Sequence, residues 1–287
     1  MSSCVRVVPV TDQPIQRPPL ESSALSAAFA AQPDLLVELH PVAPSTNALA
    51  GDRAREGAEE GLVVVADHQA AGRGRLDRTW ETPAGAAVTF SLLLRPSVLA
   101  SSWPWIPLLV GHNVAKALTS LGHRAQVKWP NDVLLVDDAG TGRKVAGILV
   151  ERVETAQGPA AVIGVGINVS TTADELPVDT ATSLALAAGP GDPAPDRTQI
   201  LVAVVTAIRE AFDAWQAGGT EATERLRASY VARCATVDVD VRVHLPGGGT
   251  LVGRASDVDP EGRLVVESSD GIERVGAGDV VHVRAEA

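Results

Sequence analysis

The sequence predicts an α/β domain followed by a small antiparallel β domain, and three observations carry that prediction. Apolar runs of strand length, at 61–66 and 87–94, alternate with longer amphipathic stretches up to about residue 233. At Thr236 the pattern changes: Val237, Val239, Val241 and Val243 alternate with Asp238, Asp240 and Arg242, the period of a strand with one buried face. Beyond it, short strand-like segments are closely punctuated by Gly247-Gly248-Gly249 and Asp259-Pro260-Glu261-Gly262, as in a small barrel.

Taken in order, residues 1–32 are broken by Pro18-Pro19 and read as a loose leader. Ser45 has capping chemistry, and a helix is expected from it to about residue 56. Strands are expected at 61–66 and 87–94, with a polar, glycine-containing loop at 67–86 between them. A helix follows at 105–121, then strands at 131–136, 144–153 and 161–169. The Pro, Asp and Gly content of 171–196 makes it loop around a short apolar piece. Helices are expected at 198–217 and 221–232, a strand at 250–258, and further short strands to Val283. The domains are therefore 33–233 and 234–287, after the leader.

The net charge of −11 argues against general nucleic-acid binding and against an anionic membrane surface. Cys4 and Cys234 match no metal spacing and no disulfide framework, and a reducing cytoplasm is the simple reading. The start of the chain has no basic segment followed by an apolar run, so no signal peptide is expected. No stretch reaches the roughly 20 consecutive apolar residues of a membrane span.

Of 24 basic residues only Lys116, Lys128 and Lys144 are lysines. A chain that otherwise uses arginine keeps a compact ammonium in two unusual blocks, Lys128-Trp129-Pro130-Asn131-Asp132 and Lys144-Val145-Ala146-Gly147-Ile148-Leu149. Lys116 falls in an amphipathic stretch and reads as a solvated helix face.

Three further blocks could carry chemistry. Ala71-Gly72-Arg73-Gly74-Arg75-Leu76-Asp77-Arg78 offers backbone N–H groups and three arginines to a polyanion, or is a solvated turn. No Gly-Lys-Ser/Thr closes it, so it is not a P-loop. Pro44-Ser45-Thr46-Asn47 could hold a polar ligand head or cap a helix, and Gln69 stands just before the glycine loop. His68 beside it is assigned no role. Gly164-Val165-Gly166-Ile167-Asn168 leaves one strand face bare, for a flat ligand or for close strand packing. No Ser-His-Asp order, Cys-His pair or metal-spaced cluster is present. Chemistry by positioning and charge stabilisation fits that inventory.

These five blocks, in this order, resemble the biotin protein ligase family. The arginine loop departs from the commoner form, with Leu76 and Asp77 where a basic residue or histidine and a glycine are frequent. The resemblance implies a mixed sheet like that of class II aminoacyl-tRNA synthetases, with a small SH3-type barrel behind it. It implies that biotin and Mg-ATP give biotinyl-5′-AMP, and that a carrier-domain lysine then takes the biotin. Ser45, Thr46, Asn47, Gln69, Arg73, Gly74, Arg75 and Lys144 would surround biotin. Arg75, Arg78, Trp80, Lys128, Asn131 and Asn168 would face the nucleotide. Lys144, Lys128 and Arg75 would do the catalytic work of screening the carboxylate from the α-phosphate. Asp132 is a candidate for Mg²⁺, with the metal ligands left open. The acceptor would be a biotin carboxyl carrier domain of an acetyl-CoA, acyl-CoA or pyruvate carboxylase. About 44 residues precede the Ser-Thr-Asn block, too few for the DNA-binding domain that some members carry, so no DNA partner is expected. A lipoate or octanoyl ligase of the same fold, or a non-catalytic biotin-sensing regulator, are the competing readings. Trp129 and the full arginine-glycine loop favour biotin.

Overall fold

The structure is a computed structural model that describes residues 17–76, 78–188 and 195–283. Its larger sheet has seven strands in the order β1-β2-β3-β7-β6-β5-β4. These are β1 (Leu36–His40), β2 (Leu62–Ala66), β3 (Ala87–Leu94), β4 (Ala125–Lys128), β5 (Asp132–Val136), β6 (Gly142–Thr155) and β7 (Gly158–Asn168). β1 and β2 run parallel, and the other neighbours are antiparallel.

Helices cover both faces, which is why β2 is apolar without alternation and β3 is buried along its whole length, with its polar residues Thr89 and Ser91 on the site face. Helix α2 (Thr46–Arg55) packs on one face, with Ala50 and Ala54 against Leu62, Val64, Leu93 and Val162. Helices α3 (Trp105–Ser120) and α5 (Arg197–Val231) pack on the other, over Val63, Val65, Phe90, Ile163 and Val165. The two helices expected at 198–217 and 221–232 are present within this span, divided by a kink where Gly219 leaves the helical region at φ 55°. Asp196 caps its start, accepting from the backbone N–H of Thr198 and Gln199.

The leader expectation needs correction for residues 17–32. They hold α1 (Ser22–Ala28), with Leu20, Leu25 and Phe29 buried in the main core. Arg17 pairs with Glu175. Residues 1–16 lie outside the described residues. The short apolar piece within 171–196 forms α4 (Leu184–Ala188).

The second sheet is antiparallel throughout, in the order β11-β10-β9-β8-β12. Its strands are β8 (Val239–His244), β9 (Thr250–Val258), β10 (Leu264–Ser268), β11 (Gly271–Val275) and β12 (Asp279–His282). β8 begins two residues later than its valine pattern, because Asp238 sits at φ 65° and breaks the extended run. Two tryptophans fasten this sheet to the first. Trp105 Nε1 donates to the Pro260 carbonyl at 2.7 Å, and Trp129 Nε1 to the Gly262 carbonyl at 3.1 Å. Both side chains are buried, so each polar tip finds a partner across the domain contact.

Candidate active site

The register of the large sheet builds the floor of the site. Across β3, β7, β6, β5 and β4 one row of paired residues reads Thr89, Gly166, Gly147, Asp132, Lys128. A neighbouring row on the same face reads Ser91, Gly164, Leu149, and the next Leu93, Val162, Glu151. α2 covers the last of these rows and reaches Gly164 of the second through Asn47, leaving the Gly166–Gly147 row uncovered by helix. Two glycines side by side leave a bare strip, and the indole of Trp80 lies on it. A Cβ at Gly166 would stand 2.5 Å from Trp80 Cε2, and one at Gly147 would stand 3.2 Å from Cζ3. The flat group anticipated over this strand is thus the chain's own tryptophan. Its Nε1 is buried without a hydrogen-bond partner.

The start of α2 closes one end of the cavity. Ser45 is the N-cap by its extended backbone, yet its hydroxyl makes no capping bond. Capping therefore does not account for it. The Thr46 N–H and hydroxyl both donate to Gln69 Oε1, at 2.8 and 3.1 Å. Asn47 is buried and spends both ends of its amide on the protein. Its Oδ1 accepts from the Ser91 hydroxyl at 2.6 Å, and its Nδ2 donates to Glu151 Oε2 at 2.7 Å. Gly164 is a glycine for a concrete reason, since a Cβ there would collide with the Asn47 amide oxygen.

The arginine loop is a compact hairpin. Arg73 bridges Thr79, the Gly74 N–H donates to the Arg78 carbonyl, and the Trp80 N–H to the Gly72 carbonyl. Gly72 has no room for a side chain because the Trp80 carbonyl passes directly over it. Each arginine has its own partner. Arg73 pairs with Glu151 at 3.0 Å, Arg75 donates to Asn131 Oδ1 at 2.9 Å, and Arg78 pairs with Asp279 of β12 at 2.5 Å.

The charges gather at the other end of the floor. Lys144 Nζ lies 2.6 Å from Asp132 Oδ1 and 5.8 Å from the centre of the Trp80 ring. Burial pushes the Lys128 ammonium below the usual lysine range, while Asp132 and Asp279 pull it back up. Burial would raise the Asp279 carboxyl. The Arg78 bond and the charges of Arg78, Lys128 and His244 outweigh that and hold it below the usual carboxylate range. Lys116 is exposed on α3, as its pattern implies.

Ser45, Thr46, Asn47, Gln69, Arg73, Gly74, Arg75, Arg78, Trp80, Asn131 and Lys144 wall one inner cavity of about 120 Å³. A larger cleft of about 680 Å³ adjoins it, sharing Arg73, Arg75, Arg78 and Asn131 and extending to Trp129 and Pro130. Two expected residues stand apart from the inner walls. Lys128 ends the floor row, and Asn168 gives its Nδ2 to the Thr182 carbonyl at 3.0 Å. Sequence reasoning missed Ser91, Glu151 and Asp279. Gly278 and Asp279 of the C-terminal β domain also stand in the wall of this cavity.

Known proteins share this two-domain architecture. The biotin/lipoate A/B protein ligase family profile matches residues 39–168, and that of the biotin protein ligase C terminal domain matches residues 239–283. A biotin--[acetyl-CoA-carboxylase] ligase of Mycobacterium tuberculosis is 36% identical over 283 residues, 96% of this chain and 100% of that protein. This chain belongs to the biotin protein ligase family. The bifunctional ligase/repressor BirA of Bacillus subtilis is 33% identical to this ligase over 84% of the chain and 72% of its own length. Among solved structures, the biotin protein ligase of Aquifex aeolicus in complex with biotin and ATP superposes with a TM-score of 0.70. It is 25% identical, and the match covers 87% of this chain and 99% of that one. The two profile matches divide the site: the floor and the loop fall in the first, and Asp279 falls in the second.

Proposed function

We propose that this ligase performs both of its half-reactions in the inner cavity floored by Gly147 and Gly166 together with the adjoining larger cleft, which shares Arg73, Arg75, Arg78 and Asn131 with it. Biotin ligation is the activity of its family. The biotin carboxylate attacks the α-phosphate of ATP, pyrophosphate leaves, and biotinyl-5′-AMP remains. The ε-amine of an acceptor lysine then attacks the acyl carbon, the bond to the phosphate oxygen breaks, AMP leaves, and the amine gives up its proton.

The observation that supports this reading is the polarity of the floor. Small uncharged donors and acceptors (Ser45, Thr46, Gln69) stand at one end, and Lys144, Asp132 and Lys128 at the other. The ureido head belongs at the first end, the thiophene ring and its chain along the Gly164–Ile167 strand beside the Trp80 indole, and the carboxylate beside Lys144. Two anions must approach each other there. Lys144, with Arg75 and Lys128, offsets that repulsion in a partly desolvated site where charge is weakly screened. Trp80, Arg78 and Asn131 would line the nucleotide, with Asn168 beyond them on the same strand face.

Mg²⁺ would arrive with the nucleotide. Among the described residues no three His, Cys, Asp or Glu side chains cluster to hold a metal on their own. One or two carboxylates plus phosphate oxygens suffice for Mg²⁺, and Asp132 in the cavity wall fits that need. The ion would supply charge neutralisation at the phosphates.

The acceptor would be the lysine of a biotin carboxyl carrier domain of an acetyl-CoA, acyl-CoA or pyruvate carboxylase. We place the reaction in the cytoplasm. No helix among the described residues is long and apolar enough to cross a membrane.

Arg75→Gly tests the loop's part in this scheme. Removing the guanidinium leaves Lys144 in place, so adenylate synthesis continues. The loop loses its tie to Asn131 and a cation facing the phosphate. Loss of one charge-assisted hydrogen bond corresponds to roughly ten- to a hundredfold faster release of biotinyl-5′-AMP. The escaping acyl-adenylate should label lysines of bystander proteins, which mass spectrometry reads directly. Adenylate held as tightly as in the wild type would contradict this role for Arg75.

A further inference from the structure

We infer that Glu151 is a positioning residue of this ligase, whose carboxylate ties the arginine loop to the biotin-head end of the cavity. The inference rests on the reading of that cavity as the biotin site. Glu151 lies in β6, in a row with Leu93 and Val162, both fully buried. A carboxylate in such a row needs partners. Its side chain is 31% exposed and lines the larger cleft. One oxygen, Oε2, accepts both from Asn47 Nδ2 at 2.7 Å and from Arg73 Nη2 at 3.0 Å. The neighbouring Arg152 leaves Glu151 alone: it pairs with Glu154 and stacks on Trp103.

These bonds end an unbroken chain. Gln69 is bonded to Thr46, Thr46 to Ser91, Ser91 to Asn47, Asn47 to Glu151, and Glu151 to Arg73. One link is undecided by geometry. The Ser91 hydroxyl reaches Thr46 Oγ1 at 2.8 Å and Asn47 Oδ1 at 2.6 Å, and it has a single proton for the two acceptors. A ligand donor that takes over Thr46 Oγ1 commits that proton to Asn47. The Asn47 amide is then fixed, and with it the Nδ2 that holds Glu151 in line with Arg73. Filling the head end thereby favours the closed loop, and a closed loop slows loss of whatever fills it. Glu151 touches no reacting atom in this scheme.

The test compares Glu151→Gln, Arg73→Gln and the double variant with the wild type. Glutamine at 151 can still accept from Asn47 but offers Arg73 no charge. Each single variant should raise the biotin KM and the release rate of biotinyl-5′-AMP by about five- to tenfold. In Glu151→Gln the kcat of ATP–pyrophosphate exchange at saturating biotin and the KM for ATP should stay within about twofold. The double variant should be no worse than either single one, because both remove the same link. Glu154→Gln, beside it but bonded outward to Arg152, should match the wild type. Unchanged release in Arg73→Gln would overturn the inference, and that side chain is half exposed, so the variant folds. Multiplying effects in the double variant, or a fall in kcat alone, would overturn it too. If the wild type itself shows no biotin-dependent exchange, the reading of the cavity fails instead, which the same assay reveals first.

Discussion

Lys144→Ala is expected to slow biotin adenylation by about 10²–10³-fold without unfolding the protein. Lys144 is a partly exposed side chain on β6, held by Asp132 at 2.6 Å, so removing it opens no core cavity. What disappears is the cation between the carboxylate and the α-phosphate, and that loss is felt most where negative charge crowds in the transition state. Lys144→Arg should rescue poorly. The ammonium is confined: a Cβ at Gly147 would already stand 3.3 Å from both Cε and Nζ, and Trp80 lies on the far side. A planar fork cannot occupy the place of a point charge there. Biotin-dependent ATP–pyrophosphate exchange measures both variants, with Lys116→Ala as an exposed-lysine control near wild type. Near-wild-type turnover in either Lys144 variant would remove the assignment.

Gly166→Ala carries the second large effect. The added methyl would stand 2.5 to 2.7 Å from three indole atoms of Trp80, inside van der Waals contact. The strand cannot yield, because Gly166 is paired on both sides, to Thr89 and Gly147. Trp80 must leave the floor, and any ligand that lies there meets the same methyl. Overpacking of this kind costs roughly 1–3 kcal/mol, or about a 5- to 150-fold loss of affinity when it falls on a binding site. Calorimetry with biotin, and the KM for ATP, should both show it. Gly147→Ala should be milder, since its methyl would meet the indole at 3.2 Å. Wild-type affinity for both substrates in Gly166→Ala would mean that the floor is not where they bind.

The central strands were legible because helices cover both of their faces. A strand buried on two sides reads as a nearly continuous apolar run, and β2, β3 and β7 do, apart from Thr89 and Ser91 on the site face of β3. The edge strands were not. β1 is half exposed along its length, and β4 has four residues, two of them polar. α1 escaped notice because Leu25 alone is buried within it, with Leu20 and Phe29 supplying the rest from outside. The site divides in the same way. Ser-Thr-Asn, the arginine loop and the two lysine blocks are local in sequence and could be recognised as blocks. Ser91, Glu151 and Asp279 act through register or across the domain contact, where no local pattern marks them. Glu151 had one faint signal: it continues the alternation Gly147, Leu149, Glu151, Val153, which places a charge among residues of the covered face. Asp279 had none. The β domain holds none of the blocks, yet it supplies the partner of Arg78.

The most direct test of the account is incorporation of labelled biotin. The protein is incubated with Mg²⁺, ATP and labelled biotin, then desalted, challenged with a biotin carboxyl carrier domain, and run in parallel with lipoate as competitor. The account predicts biotin-dependent exchange of pyrophosphate into ATP, a biotinyl-5′-AMP that stays with the protein through desalting, transfer of the label to one carrier lysine, and no competition by lipoate. Exchange driven by lipoate but not by biotin, or biotin binding with no adenylate formed, would contradict it.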